Sequence, residues 1–420
     1  MRECSFGAFH CINLCPLKKP LLFVSQQFPH PLTDGGNIRT FQLLAALSQA
    51  WEITLIASLK PGADKQAALA ALSPYCHKVL TVADVKKPGK LFLMRRFIRA
   101  LVYRQPLALA FNHNRHIAAA VRGEVRENKG YAVYWNHLDT VPYRQHTRGQ
   151  AQFLDTHNLL FDFYAKAGAS ASSWPRKALY RLEAARMRRY ETRAFAGMRK
   201  VLVCSHRERE LLRPFGLGRN IAVIPNGVDI DYFHPAKEGY ARNPPHVIFT
   251  GAMGYGANAD GALFFIRSIL PLLRDKLPGV KFWVVGKNPP PELIQAGQDW
   301  EDVEVTGAVA DVRPYVWQAR LFVIPLRLGG GTRLKVAEAF AFGIPTVSTT
   351  LGAEGFDAEP GKHIDLADDP ADFAAAILRL CRETETGVAM GKAARHLAEA
   401  ALSWRSIGAE LAAALAENPA

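Results

Sequence analysis

The chain of 420 residues contains no apolar run approaching the roughly 20 residues that span a bilayer, so any membrane contact is expected to be peripheral. Its six cysteines, at 4, 11, 15, 76, 204 and 381, include no Cys-x-x-Cys pair. That scatter excludes a zinc ribbon or a disulfide framework and fits a reduced, cytosolic protein. A Walker A loop cannot be fitted to the glycine triplet at 329–331. No two carboxylates stand as a glycosidase pair, and no repeat of solenoid period or low-complexity tract is present. Metal ligands are missing too. Asp229-Ile-Asp231 falls in a turn between domains, and His113, His116 and His137 lack a third ligand at a suggestive spacing, so no metal or other cofactor is expected.

Acid is scarce in the front half. Residues 1–240 hold 35 Lys/Arg against 17 Asp/Glu, whereas the rest of the chain holds 17 against 21. The net charge of +14 is therefore concentrated in front. Such asymmetry points to an anionic partner: nucleic acid, an acidic substrate or an anionic membrane surface. No RNA- or DNA-binding module accompanies the charge, which sets nucleic acid aside. The basic runs "KKPGKLFLMRRFIR" (86–99) and "RMRRYETR" (186–193) are the candidates for lipid head groups or an acidic lipid-linked acceptor.

What is present is a strand–helix rhythm that runs twice. "PLLFVSQQF" (20–28), a glycine-bearing loop, a helix over 41–49 and "EITLIAS" (52–58) make an opening βαβ unit. Strands follow at 78–82, 131–135, 151–155 and 200–205, and a long basic amphipathic helix spans 176–196. After the proline-rich segment 220–245 the rhythm restarts at "HVIFTGA" (246–252), with a helix over 258–274 and further strands at 281–287, 303–309, 321–326, 345–349 and 363–367. This predicts an α/β protein of two Rossmann-like doubly wound parallel-sheet domains facing across a cleft, with ligands at the carboxyl ends of the strands. The expected limits are a loosely ordered tail over 1–19, a front domain over 20–235, a back domain over 236–402 and a last helix over 403–420.

The stretch "RLGGGTRLKVAEAFAFGIPTV" (327–347) carries the sharpest chemistry. Thr332 is an apt N-cap, strong helix formers follow from Arg333 to Phe342, and Gly343 with Pro345 reads as the stop. Arg333 and Lys335 then sit in the first turn, where the helix dipole disfavours cations by about 0.3–1 kcal/mol each. A diphosphate would turn that placement into an asset, because glycines let the backbone approach it and the helix N-terminus attracts it. Glu338, five residues beyond Arg333, is spaced to accept from ribose hydroxyls while the cations hold phosphate; an intrahelical pair with Lys335 is the plainer alternative.

These pieces together resemble glycosyltransferase family 4, of the GT-B fold. The likeness rests on "VIPNGVDIDYFHP", "VIFTGAMGYGANADGALFFIRSILPLL", "FWVVGK" and "VTGAVADVRPYVWQARLFVIPLRLGGGTRLKVAEAFAFGIPTVSTTLGAEG", and in the front half on "FVSQQFPHPLTDGGNIRTFQLLAAL". Within the family the sequence is most similar to the sugar transferases of exopolysaccharide and PEP-CTERM sorting systems.

The resemblance implies a retaining transferase that moves a sugar from a nucleoside-diphosphate sugar to a glycan or lipid-linked acceptor. It implies that Arg333 and Lys335 hold the diphosphate and that Glu338 bonds the ribose. Gly330, Gly331 and Thr332 complete that loop, and backbone at Gly251, Gly286, Gly307 and Val309 borders the nucleotide. Gly35 and Gly36 approach the diphosphate from the other domain, with Asn37 and Arg39 at the acceptor's edge. His157, closing "FLDTHNLL", lies beside the transferred sugar, and Asp155 and Asn158 orient it or bond the acceptor. Two departures stand out. The first glutamate of the family's E-x7-E pattern falls on Gly330, and "TGAMGYGANADG" lacks the Arg and Lys often found after the second domain's first strand. A nucleotide-sugar epimerase of the same fold and a non-catalytic anion- or membrane-binding scaffold remain as alternatives. The expected setting is the cytoplasm, at the inner face of a membrane.

Overall fold

The computed structural model describes residues 18–32, 34–84, 94, 98, 106–171, 173–236, 245–329 and 331–416. Residues 1–17 of the expected N-terminal tail, most of the basic run 86–99 and Gly330 lie outside the described residues, whereas Lys19, placed in that tail, already opens the first strand. Two parallel sheets make the frame. The front sheet contains β1 (Lys19–Ser25), β2 (Trp51–Leu59), β3 (Lys78–Ala83), β4 (Ala132–Asn136), β5 (Gln152–Asp155), β6 (Lys200–Val203) and β7 (Ile221–Val223), in the order 3-2-1-4-5-6-7. The back sheet contains β8 (Val247–Thr250), β9 (Phe282–Val285), β10 (Val303–Gly307), β11 (Leu321–Ile324), β12 (Thr346–Ser348) and β13 (Asp365–Leu366), in the order 10-9-8-11-12-13.

Both orders reverse direction beside their first strand, which opens a crevice at the carboxyl ends there. Strands such as β4 (AVYWN) and β11 (LFVI) are buried along their whole length, as parallel strands covered by helices on both faces must be. The helices that bear on the cleft are α1 (Gly35–Leu47), α2 (Leu160–Ser170), α3 (Trp174–Ala196), α4 (His206–Leu212), α5 (Gly256–Phe264), α6 (Leu334–Ala341) and α7 (Trp404–Ala416).

Although it follows the back sheet in sequence, α7 packs on the front domain. Its Ile407, Leu411 and Leu415 share a core with Leu43, Leu44 and Leu47 of α1. Gly408 makes that contact close: a Cβ there would stand 2.9 Å from Ala46 Cβ. On the preceding turn, a Cβ on Gly227 would strike the Trp404 ring at 2.6 Å.

Three helix boundaries differ from the sequence reading. α1 starts at Gly35 and not at 41, because the Asp34 side chain accepts from the Asn37 amide and caps the turn that both glycines occupy. α6 starts at Leu334, with Arg333 and not Thr332 at the N-cap position and no side-chain cap. The helix expected over 258–274 is α-helical only to Phe264. A π-turn follows at Phe265–Ile269, where the Leu270 amide reaches back to Phe265, and Pro271 then opens a short final turn.

Candidate active site

The back wall of the cleft is built around Lys335 in the first turn of α6. Its ammonium donates to Asn258 Oδ1 at 2.6 Å and lies 4.3 Å from the Phe249 ring centroid. Gly251, at the end of β8, leaves the room: a Cβ there would stand 3.1 Å from Lys335 Nζ. Lys335 is 9% exposed, and among the described residues no carboxylate lies within ion-pair distance of it. Burial, with Arg333 adding to it and Glu338 opposing it, brings the Lys335 ammonium down to about 7.

Arg333 curls back so that its guanidinium donates to the Gly331 carbonyl, and burial depresses it as well. Glu338 follows one turn after Lys335, and burial pushes its carboxyl above the ordinary value against the pull of Lys335. The wall therefore brings Lys335 and Arg333 together at a helix N-terminus, where the backbone dipole adds to their charge.

The front wall is centred on His157, just past the end of β5. Its backbone is left-handed (φ 57°), as is that of His137 just past β4 (φ 75°), a conformation rare outside glycine and asparagine. The two rings meet edge to face at 5.6 Å. His157 Nε2 lies 3.0 Å from Asn136 Oδ1 and 3.3 Å from Asp155 Oδ2. The Asn136 amide nitrogen is committed to Ser25 and Thr40, so its oxygen accepts and the proton of His157 is assigned to Nε2. Nδ1 then carries the lone pair and faces Gly36, where a Cβ would stand 3.8 Å away. Burial lowers the imidazole below its ordinary value although Asp155 pulls the other way, so the ring is neutral at neutral pH.

Arg39, expected at the acceptor's edge, and Asp155, expected to orient His157 or bond the acceptor, are 1% and 0% exposed and joined to each other. Arg39 Nη2 donates to Asp155 Oδ1 at 2.8 Å and its Nε to Oδ2 at 2.9 Å. Burial disfavours the Asp155 carboxylate, yet the Arg39 charge, with hydrogen bonds from Arg39 and His157, outweighs it and holds the group far below the usual range. Neither side chain can touch an acceptor. Asp155 orients His157, and Arg39 continues to Asn226 Oδ1 at 3.1 Å, whose amide in turn donates to Thr332 Oγ1 in the back domain. Thr332 thus serves this interdomain link and not a helix cap.

The remaining predicted positions divide. Gly35 stands against the back wall, since a Cβ on it would reach Leu334 Cδ1 at 3.1 Å. Gly331 faces Asn158 at 3.8 Å by the same measure, and the Asn158 side-chain oxygen is buried with no hydrogen-bond partner among the described residues. Asn37 is half-buried and its amide donates to the Pro31 carbonyl. Gly286 serves the strands: a Cβ on it would overlap Gly251 O at 1.7 Å, so the glycine lets β8 and β9 end side by side. Gly307 has a left-handed backbone with open space beside it, and Val309 rests partly on the core. Asp229 caps its own turn through the amides of Asp231 and Tyr232.

Sequence reasoning passed over Asn258 and Asn136, and weighed His137 only as a metal ligand. Asn136 ends β4 and His137 follows it, while Asn258 lies in the first turn of α5, the helix after β8; those places beside the two crevices were the signal available. It also passed over Glu354 of the back domain, which takes Lys166 of α2 at 2.7 Å and Arg207 of α4 at 2.9 Å across the cleft.

Comparison with known proteins gives the family and the fold. Residues 33–232 match the description Glycosyltransferase Family 4, and residues 244–383 match Glycosyl transferases group 1. The chain belongs to glycosyltransferase family 4. Among curated proteins, a phosphatidyl-myo-inositol mannosyltransferase of Mycobacterium tuberculosis is 30% identical over 170 residues, 39% of this chain and 44% of that protein. An uncharacterised 44.6 kDa protein in the cps region of Klebsiella pneumoniae is 24% identical over 157 residues, 36% of this chain and 40% of that protein. The matches thus span about half or less of these two relatives.

Solved structures cover far more. Anabaena HepE in complex with UDP superposes with a TM-score of 0.65 at 16% identity, covering 94% of this chain and 99% of that one. TarM gives 0.68 at 13% identity, covering 95% and 99%. At such identities these likenesses establish the GT-B fold of this family 4 chain.

Proposed function

We propose that this chain is a retaining glycosyltransferase that takes a sugar from a nucleoside-diphosphate sugar and passes it to a glycan or lipid-linked acceptor. The observation that carries the reading is the buried Lys335 ammonium, held by an amide and, among the described residues, by no carboxylate, at the N-terminus of α6, whose Leu334 packs against Gly35 of the front wall. A cation so placed is completed by an anion from outside, and a diphosphate suits the joined reach of Lys335, Arg333 and the α6 amides. Complexes of structural relatives with UDP and the mannosyltransferase relatives support the same donor class.

In this reading Lys335 and Arg333 stabilise charge on the departing diphosphate, which takes the part a metal plays elsewhere. The transition state is oxocarbenium-like, and the leaving diphosphate helps deprotonate the acceptor hydroxyl. His157, neutral and with Nδ1 toward the cleft, accepts a hydrogen bond from the sugar or acceptor. Glu338 bonds the ribose, and backbone near Gly307 and Val309 meets the base. The setting is the cytoplasmic face of a membrane, in synthesis of exopolysaccharide or another envelope glycan. The relative from a cps region supports that setting.

The test is nucleotide binding. A thermal-shift screen across UDP-, GDP- and ADP-sugars identifies the donor, since a ligand at 100 times its Kd adds about 2.7 kcal/mol of stability. Arg333→Ala with Lys335→Ala is expected to abolish that shift. Survival of nucleoside-diphosphate affinity in the double variant would overturn the assignment.

A further inference from the structure

The front domain carries a surface that the cleft does not use. α3 leans on α2, and the two helices touch backbone to side chain where a Cβ on Gly168 would stand 3.1 Å from Tyr180 Cβ. α2 begins two residues after Asn158 and sends Lys166 across to Glu354, so α3 lies one helix away from the cleft mouth.

By the 3.6-residue repeat, Trp174, Arg181, Leu182, Arg188 and Arg189 fall on one face of α3, and all are exposed. Trp174 is 81% exposed and Leu182 47%, with Leu179 at 48% beside them. Both carboxylates of α3 point inward. Glu183 is 3% exposed and accepts from the Leu107 amide; Glu191 is 0% exposed and accepts from the Leu160 and Phe161 amides. The outward face is thus apolar and cationic, with no acid on it.

We infer that this face of α3 docks on the surface of an anionic lipid bilayer. A solvated helix gains nothing from a Trp and two Leu side chains in water, and a protein partner's usual rim would carry both signs of charge. Arginines interleaved with a tryptophan and leucines suit the headgroup boundary, where stems and rings enter the acyl edge while guanidinium groups meet phosphate. No described helix is long and apolar enough to cross a membrane, so the contact is interfacial. Docked this way, the α2–α3 hairpin brings the cleft mouth at Asn158 close to the bilayer. This deepens the transferase reading by placing a lipid-linked acceptor's headgroup within reach.

The experiment is co-sedimentation of the full chain, without nucleotide, with vesicles of phosphatidylcholine alone or mixed with phosphatidylglycerol. The mixed vesicles are expected to bind the protein, and high salt to release it. Trp174→Ser with Leu179→Ser and Leu182→Ser, and separately Arg181→Glu with Arg188→Glu, are each expected to weaken partitioning about tenfold or more. Donor-induced thermal shifts should be unchanged in both, which shows that the variants fold. Failure of the native chain to bind mixed vesicles, or native-like binding by both variants, overturns the inference. So does a native dimer that either set turns into a monomer, because a second copy would then be the occupant. Vesicle binding needs no donor, so this result stands or falls apart from that of Arg333→Ala with Lys335→Ala.

Discussion

Arg39 and Lys335 are buried cations on opposite sides of one cleft, and the fold treats them in opposite ways. Arg39 lies under the front wall with its guanidinium forked onto Asp155 and its remaining donors on Pro225 O and Asn226. Lys335 lies under the back wall with one amide oxygen and an aromatic face for company. Taking either cation out of water costs several kcal/mol, and a well-placed carboxylate offsets that cost. Arg39 recovers it on folding. Among the described residues Lys335 has no carboxylate to recover it, and in the proposed function the donor diphosphate supplies the missing charge. A buried cation with its partner inside the fold is scaffold; one without is a candidate site.

The largest expected effect breaks the scaffold half. Arg39→Ala leaves the Asp155 carboxylate buried without its cation, and the expected cost is about 3–5 kcal/mol of unfolding free energy. Chemical denaturation measures it. A loss under about 1 kcal/mol would mean that the pair is not what holds α1 to β5.

The other half is tested by Lys335→Met. Without donor, its stability should match or exceed that of the native chain, because the substitution removes an uncompensated charge. Affinity for the nucleoside diphosphate should fall about 10- to 150-fold, the worth of one strong charged hydrogen bond of roughly 1.5–3 kcal/mol. Acidity sharpens the point. The native ammonium titrates near 7, below its unfolded value. Affinity should therefore be full below that pH and decline above it in the native chain, measured by calorimetry, while the Met variant shows no such decline. The stability difference carries its own sign. The unfolded chain keeps this proton to higher pH than the folded one, so the native chain gains stability relative to the Met variant as pH rises above 7. A flat difference would sink the claim that Lys335 is held uncompensated.

Much of this was legible in the sequence, and the reason is local. The doubly wound frame follows from alternating apolar strands and helical patterns, and the gathering of Arg333 and Lys335 at the start of α6 from two cations set behind a run of glycines. What escaped notice depends on distance along the chain. Arg39 and Asp155 are 116 residues apart, so their motifs marked the right region while hiding that they neutralise each other. Asn258 was invisible as Lys335's partner for the same reason, at 77 residues. The helix starts failed for another cause. Gly35 and Gly36 are poor helix formers that Asp34 nonetheless caps, and Thr332 was diverted from capping by Asn226 of the other domain.

The smallest effect concerns how the two walls are held together. Glu354 receives Lys166 and Arg207 across the cleft, but the cations' side chains are 30% and 40% exposed and Glu354's is 18%. Pairs so placed are worth about 0.2–1 kcal/mol each. Glu354→Gln should therefore leave unfolding stability almost unchanged and shift the balance between closed and open cleft by only a few-fold. X-ray scattering should record a slightly larger radius of gyration for the variant. The native chain should expand toward that value as salt rises, because the screening length falls from about 10 Å at 0.1 M to about 3 Å at 1 M. The variant should respond less. Equal dimensions for the two proteins at low salt would leave the polar link through Asn226 and Thr332, together with the packing of α7 on α1, as what keeps the paired cation and the unpaired one facing each other.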